Sequence, residues 1–216
     1  MTQVFHPAMN PFSKVSILGA FGLLALAGWL IDQWYRSLYM TQVNVVRTQP
    51  VQFSHEHHTS GLGIDCRYCH TSVETSSFAG IPATEVCMNC HTLIWNDSPK
   101  LEPVRESFRT GKSLVWTRVH DVPDYVYFNH SVHVAKGVGC AECHGRIDQM
   151  PLTWRTHTLY MEWCLDCHRH PEEHVRPRDQ VFNMAWTRPA DEPDLGKQLV
   201  EQNHVEKMIH CSTCHR

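Results

Sequence analysis

Cys140-Ala141-Glu142-Cys143-His144 places two thiols three residues apart and a histidine directly after the second. The same spacing returns in Cys66-Arg67-Tyr68-Cys69-His70, Cys87-Met88-Asn89-Cys90-His91, Cys164-Leu165-Asp166-Cys167-His168 and Cys211-Ser212-Thr213-Cys214-His215. Together these pentapeptides use all 10 cysteines of the 216-residue chain. Two thiols at this spacing can reach the two vinyl groups on one edge of a porphyrin as thioethers, and the next residue then lies under the iron as proximal ligand. The geometry asks for both thiols and the histidine on one face of a short helical turn.

Disulfides and zinc ribbons also use paired cysteines, and both fit the pattern less well. A disulfide framework explains an even cysteine count but gives no reason for a histidine after every second cysteine. Zinc ligand sets draw their histidines from elsewhere in the chain rather than from beside the second thiol in every copy. The pattern therefore implies five covalently attached c-type haems, with Cys66, Cys69, Cys87, Cys90, Cys140, Cys143, Cys164, Cys167, Cys211 and Cys214 as attachment points. His70, His91, His144, His168 and His215 are the proximal ligands.

Composition agrees with this reading. Only 42% of the chain is hydrophobic, while 17 residues are histidine, so it is poor in side chains for a core and rich in metal ligands. Five macrocycles would supply apolar volume that side chains usually provide. Turn-forming residues scattered through 76–82, 97–103, 121–124 and 171–193 argue against long strands. The expected fold is a class III-like multihaem cytochrome c, mainly short α-helices and loops around five haems, with one N-terminal transmembrane helix. The formal net charge is -3 and no Lys/Arg block occurs, which gives no sign of a nucleic-acid partner.

That helix is read from residues 15–31, an uncharged apolar run after Lys14. It is about one turn short of the roughly 20 residues usual for a span, and Trp29, Trp34, Tyr35 and Tyr39 suit the interfacial belt. Ala25-Leu26-Ala27 resembles a signal-peptidase site, but with numbering from Met1 the segment is expected to stay as a signal anchor. Because haem is attached outside the cytoplasm, the expected organisation is a cytoplasmic N-terminus (1–14), a transmembrane anchor (15–39) and an extracytoplasmic pentahaem domain (40–216). The location is the cytoplasmic membrane, with the haem domain on its periplasmic side. Small residues at Gly19, Ala20, Gly22, Ala25, Ala27 and Gly28 could face partner helices.

An internal repeat lies within the haem region. Phe53-Ser54-His55-Glu56-His57-His58 precedes two motifs, and Phe128-Asn129-His130-Ser131-Val132-His133 precedes two more at similar offsets. Two dihaem units, about 51–100 and 126–175, are thus followed by a fifth site at 211–215. In each unit a phenylalanine leads two histidines three apart, on one side of a helical turn. His55, His58, His130 and His133 are the expected sixth ligands. His57 falls off the pattern. For the fifth iron, His120 is the leading histidine, with Met150 and Met161 as thioether alternatives, although packing against a haem explains either methionine as well. Met184 and His204 are weaker candidates, and His170, His174 and His210 read as surface or haem-edge residues.

The order of anchor, first histidine pair, two motifs, the 119–133 segment, two further motifs and a very late fifth motif resembles the pentahaem c-type cytochrome subunit of alternative complex III. The likeness covers nearly the whole chain. It implies an electron-transfer subunit of a membrane quinol:acceptor oxidoreductase. It also implies an iron-sulfur/molybdopterin-like subunit, integral-membrane quinol-binding subunits and a monohaem cytochrome c as partners. On that reading the chain relays electrons in a respiratory chain and is not catalytic alone.

Three rivals are distinguishable. A membrane-anchored multihaem quinol dehydrogenase would oxidise quinol directly at a weakly ligated haem near residue 40. A multihaem reductase would need an open iron, often with a lysine proximal ligand, and no motif here ends in lysine. A haem-based sensor tether would need a signalling domain. No glycine-rich phosphate loop or nucleophile elbow is present.

Overall fold

A computed structural model describes residues 4–215. The outermost residues of the expected N-terminal and haem segments, Met1, Thr2, Gln3 and Arg216, lie outside that range. The chain divides into two compact units, Met1–Val43 and Asn44–Arg216.

The first unit is a long helix and a short one. Helix α1, Met9–Arg36, is long and apolar enough to cross a membrane by length and composition. Its 28 residues exceed the apolar run of 15–31 because the polar flanks are helical too. At the amino end Ser13 Oγ donates to the Met9 carbonyl at 2.8 Å, and at the other end Arg36 Nε meets Asp32 one turn earlier at 3.0 Å. The extended ψ of 155° at Ser37 ends α1, so α2, Leu38–Thr41, is a separate turn closed by Gln42 at φ 55°. The expected anchor of 15–39 therefore contains a backbone break near its carboxyl end.

The second unit consists of short helices joined by loops. Its helices are α3 (Cys66–Cys69), α4 (Thr84–His91), α5 (Glu102–Thr110), α6 (His130–Ala135), α7 (Cys140–His144), α8 (Met161–Arg169), α9 (Pro171–His174), α10 (Leu195–Gln202) and α11 (Cys211–Cys214). Among the described residues there are only isolated bridges, Val46–Trp154, Val126–His215 and Val138–Val175, and no strand. Every cysteine pair lies on a helix, as its spacing requires. Side chains alone make a thin core. Val51, Met88 and Val104 form its one cluster of buried residues among those described, backed by Leu101, Leu114 and Trp116. Such a core is small for a domain of this length.

The two histidine-pair segments are not alike in backbone. The second starts α6, where the Asn129 side chain caps the helix by accepting from Val132 N. The first runs into a π-helical turn, Glu56–Gly61, with His55 at its amino end. There Leu62 N donates to the His57 carbonyl, and the wider turn continues through Gly61.

The repeats also interlock. The first histidine segment is held by the loop that follows the third motif: Ser60 Oγ donates to the Asp148 carbonyl at 2.6 Å and Glu56 N to the Met150 carbonyl at 3.1 Å. The second is held by the loop that follows the first motif, where His130 N donates to the Ser77 carbonyl at 3.2 Å and Ser131 N to the Ser76 carbonyl at 3.1 Å. Each repeat thus depends on the other for its backbone partners.

A further join ties the third motif to the chain beyond the fourth. Arg176 N donates to the Gly137 carbonyl at 2.8 Å, and Cys140 N donates to the Val181 carbonyl at 3.1 Å. Gly137 has φ +84°, and a Cβ there would stand 2.5 Å from the Arg176 carbonyl oxygen. Strain and overlap act together, so Gly137→Ala is expected to cost about 2–4 kcal/mol and to lower the thermal midpoint of the haem-loaded protein by roughly 5–10 °C. A midpoint within a degree of the parent in a calorimetric scan would contradict the close approach.

Candidate haem-binding sites

The aromatic residue that leads each histidine pair makes the same contacts twice. Phe53 meets the His55 ring edge-on (4.9 Å between centres, 86°) and stacks on His58 (4.4 Å, 24°). Phe128 meets His130 edge-on (4.7 Å, 90°) and stacks on His133 (4.6 Å, 26°). The sequence repeat is therefore a repeat of side-chain geometry, in which one ring fixes two imidazoles pointing different ways.

The second imidazole of each pair faces the histidine of the second motif in its own repeat. His58 and His91 have ring centres 6.2 Å apart, and so do His133 and His168. Taking about 2 Å for a metal–imidazole bond, and about 1.1 Å from nitrogen to ring centre, two imidazoles on opposite faces of one metal lie about 6.2 Å apart. Both pairs match that span. His130 and His144 come within 6.5 Å with nearly parallel rings. His120 lies closer to His144, at 4.2 Å, which is too near for the two rings to hold one metal from opposite faces.

Hydrogen bonds prepare these imidazoles for metal binding. A carbonyl can only accept, so a ring nitrogen facing one must carry the proton. Nδ1 of His58, His70, His91, His130, His133 and His215 faces the carbonyls of Ser54 (2.8 Å), Gly80 (2.7 Å), Ile94 (2.9 Å), Ser77 (2.8 Å), Asn129 (2.7 Å) and Tyr125 (3.2 Å). His55 Nδ1 lies 3.0 Å from the Thr153 hydroxyl. The arrangement leaves the Nε2 lone pair available and fixes ring orientation, as in metal-bound histidines generally. His120 Nε2 is buried with no hydrogen-bond partner.

Electrostatics act in the same direction. Burial lowers His55 to about 4, helped by His70, His58 and His120, and it lowers His120 to about 4, helped by Arg155 and His157. Burial holds His144 well below the ordinary histidine value, with the His120 and His130 rings adding to the effect. These rings are neutral near pH 7, the form that binds metal. Burial also pushes the thiol of Cys140 up to about 11 and that of Cys143 up to about 12. Such an environment disfavours the thiolate that zinc requires and suits a neutral sulfur, whether thiol or thioether. Among the described residues no group of three or more His, Cys, Asp or Glu side chains is placed to hold a metal ion, and all ten cysteines are free of disulfides. Paired imidazoles beside paired neutral sulfurs fit haem and fit little else.

The candidates for a fifth sixth-ligand are dispersed. His120 stands against the third motif rather than beside the fifth. Met150 is buried, and Met161 is exposed at the start of α8. At the fifth motif the Tyr125 ring lies 5.7 Å from His215, and Tyr127 N donates to the Cys214 carbonyl at 2.8 Å. His57 is exposed and stacks at 6.1 Å on Trp95.

Two sets of residues escaped the sequence. The oxygens that orient the rings are mostly backbone carbonyls, which every residue carries, so no side-chain pattern marks Gly80, Ser77 or Ile94. His174, read as a surface or haem-edge residue, is half-buried, and the contact the sequence did not indicate is its Nδ1 at 3.2 Å from Glu142 of the third motif.

Comparison with known proteins gives the same class. Residues 132–216 match the cytochrome c3 family. A stretch of 99 residues is 36% identical to the menaquinone reductase multiheme cytochrome c subunit of Nitratidesulfovibrio vulgaris strain Hildenborough, covering 45% of this chain and 46% of that one. The matched stretch thus spans about half the length of that relative. The fold is that of a cytochrome c3-like multihaem protein, which carries covalent haem c, built from short helices and loops with one N-terminal apolar helix.

Proposed function

We propose that the chain is the electron-relay subunit of a membrane quinone-active complex, with five haem c groups attached at its five cysteine pairs. The imidazole pairs at 6.2 Å carry this reading, because an iron held from both faces has no position left for a substrate. When bound, haem supplies reversible one-electron chemistry, with potentials set by its axial ligands and surroundings.

The protein's own residues perform the rest. His70, His91, His144, His168 and His215, each next to a cysteine pair, would hold the irons together with His55, His58, His130 and His133. The fifth distal position falls to His120, Met150 or Met161, with His120 weakened by its contact with His144. Carbonyls on Nδ1 of His58, His70, His91, His130, His133 and His215 hold those rings in orientation, which limits reorganisation.

Helix α1 anchors the chain in the cytoplasmic membrane, and residues after about 40 lie on its periplasmic side. The similarity to a menaquinone reductase subunit supports a quinone pool as one end of the relay. The finer reading is alternative complex III. There, quinol is oxidised in integral-membrane partners, an iron-sulfur/molybdopterin-like subunit completes the assembly, and electrons leave through a monohaem or soluble cytochrome. The alternative, direct oxidation of quinol by this chain alone, is disfavoured by imidazoles on both sides of the metal positions.

Purification in mild detergent tests this, with intact-mass haem counting and a quinol-to-cytochrome assay on both the complex and the isolated chain. The expected result is five haems on the chain and turnover only with membrane and iron-sulfur partners. Turnover by the isolated chain would replace the relay with a self-sufficient quinol dehydrogenase.

A further inference from the structure

Nδ1 of His70, His91 and His215 each faces a backbone carbonyl, at 2.7, 2.9 and 3.2 Å. The histidine of the third motif breaks this pattern: His144 Nδ1 is buried and has no hydrogen-bond partner. Two further buried polar atoms in the same condition lie beside it. One is His120 Nε2, on a ring whose centre is 4.2 Å from that of His144, and the other is Thr156 Oγ1. Thr156 is held against the end of the third motif, since a Cβ on Gly145, the residue after His144, would stand 2.6 Å from Thr156 Cγ2. Native proteins leave few buried polar atoms unpaired, and three in one place call for a partner that the side chains around them do not supply.

The surrounding chemistry indicates what that partner is. An imidazole that turns Nε2 to a metal carries its proton on Nδ1, the threonine hydroxyl donates, and a neutral His120 donates in the tautomer with its proton on Nε2. The charges nearby are mainly positive. Arg155, next to Thr156 in the chain, acts on the His120 ring as a neighbouring cation. Burial disfavours the Arg155 charge itself, and the charge of Arg47 adds to that effect. Asp121 and Tyr160 act the other way on Arg155, but Asp121 is exposed and lies 3.6 Å from Arg118. A place lined by donors and desolvated positive charge fits an anion rather than a water molecule. A carboxylate, with two oxygens and about four lone pairs, can meet all of these donors.

We propose that His120, His144, Arg155 and Thr156 form a binding site for a haem propionate. The proposal rests on the haem-relay reading above, because covalently attached macrocycles bring carboxylates into the domain with them, whereas a free anion would first have to shed its hydration. Arg155 supplies the countercharge, and Thr156 Oγ1, His144 Nδ1 and His120 Nε2 supply hydrogen bonds. The carboxylate then takes the orienting role at His144 that a carbonyl takes at His70, His91 and His215. His120 becomes a propionate partner instead of an iron ligand, in keeping with a ring too close to His144 for the two to hold one metal from opposite faces.

Isotope-edited infrared spectroscopy of the full, haem-loaded chain tests this. Aminolaevulinate labelled with carbon-13 at its carboxyl group marks the haem propionates and no protein side chain, so their carboxylate stretch is read apart from those of Asp and Glu. With two propionates per haem, one held carboxylate is about one tenth of the labelled signal, and that share should be displaced from the band of the solvated remainder. Arg155→Leu and Thr156→Val should each abolish the displaced share. Thr156→Val keeps the side-chain shape against Gly145, so it reads the hydroxyl even where Arg155→Leu fails to fold. His120→Phe should also move the displaced share while every iron stays low spin. A parent with five haems and no displaced share, which an unlabelled anion in the pocket would also give, overturns the proposal. So does a displaced share that survives in both Arg155→Leu and Thr156→Val, or high-spin iron in His120→Phe. Haem counting on each sample keeps the two readings apart: a parent with incomplete haem counts against the relay, whereas five haems without the displaced share count against the carboxylate site alone.

Discussion

Replacing His133 with alanine is expected to convert one haem from low spin to high spin while all five remain covalently attached. The thioether sulfurs come from cysteines that the substitution does not touch, so attachment and axial ligation separate cleanly. His133 faces His168 across 6.2 Å, and its orientation is fixed by the Asn129 carbonyl at 2.7 Å and by the stacked Phe128 ring. Removing that imidazole leaves an iron with an open face in a pocket of neutral side chains. About one fifth of the low-spin signal should be lost in electron paramagnetic resonance, and carbon monoxide should bind the reduced variant but not the parent. His58→Ala should behave the same way at the other repeat, since His58 faces His91 at the same distance. His55→Ala and His130→Ala should each open a further iron. His57→Ala is the internal control: its ring is exposed and stacks on Trp95, so no spin change should follow. If His133→Ala and His58→Ala keep a full low-spin spectrum, the assignment of distal ligands is wrong.

These expectations show how unevenly the molecule could be read from its residues. The cysteine–histidine spacing is a local covalent requirement, so it is visible in any copy of the motif, and each copy does lie on a helical turn. The two Phe-led histidine pairs were visible because they repeat, and the repeat extends to the stacking of Phe53 on His58 and Phe128 on His133. The π-turn after His55 was not legible, because it depends on carbonyl partners around Gly61 rather than on apolar periodicity. Nor was the interlocking of the repeats. Ser60 finds Asp148, and His130 finds Ser77, through contacts distant in sequence that no local pattern encodes. His120 shows the limit most clearly. Its neighbours in the chain gave no indication that it would pack at 4.2 Å against His144.

The interlocking has its own consequence, which removal of single attachment sites should reveal. The third motif lies where several long-range ties converge. His144 is half-buried with its Nδ1 shielded from solvent, Cys140 N is bound to the Val181 carbonyl, Val138 bridges Val175, and Glu142 grips Arg176. The loop that follows the motif holds the first histidine segment through Asp148, Met150 and Thr153. The fifth motif is held more lightly. Cys211 is exposed, and the ties all run to one short segment: Tyr127 N to the Cys214 carbonyl, the Val126–His215 bridge, and the Tyr125 carbonyl and ring against His215. A chain with Cys140→Ala and Cys143→Ala should therefore lose far more than one haem. With so thin a side-chain core, losing the macrocycle at the convergence point removes apolar contact worth several kcal/mol, comparable to the whole stability of an ordinary domain. The expected yield of protease-resistant, haem-stained protein is below about a tenth of the parent, and the missing contact energy leaves the other attachment sites poorly formed. Cys211→Ala with Cys214→Ala should instead give a folded chain carrying four haems at about the parental yield, because few long-range contacts end there. Equal yields from the two variants, each with four haems by pyridine haemochrome, would mean that the ties converging on the third motif are energetically minor and that each haem is folded largely by its own segment.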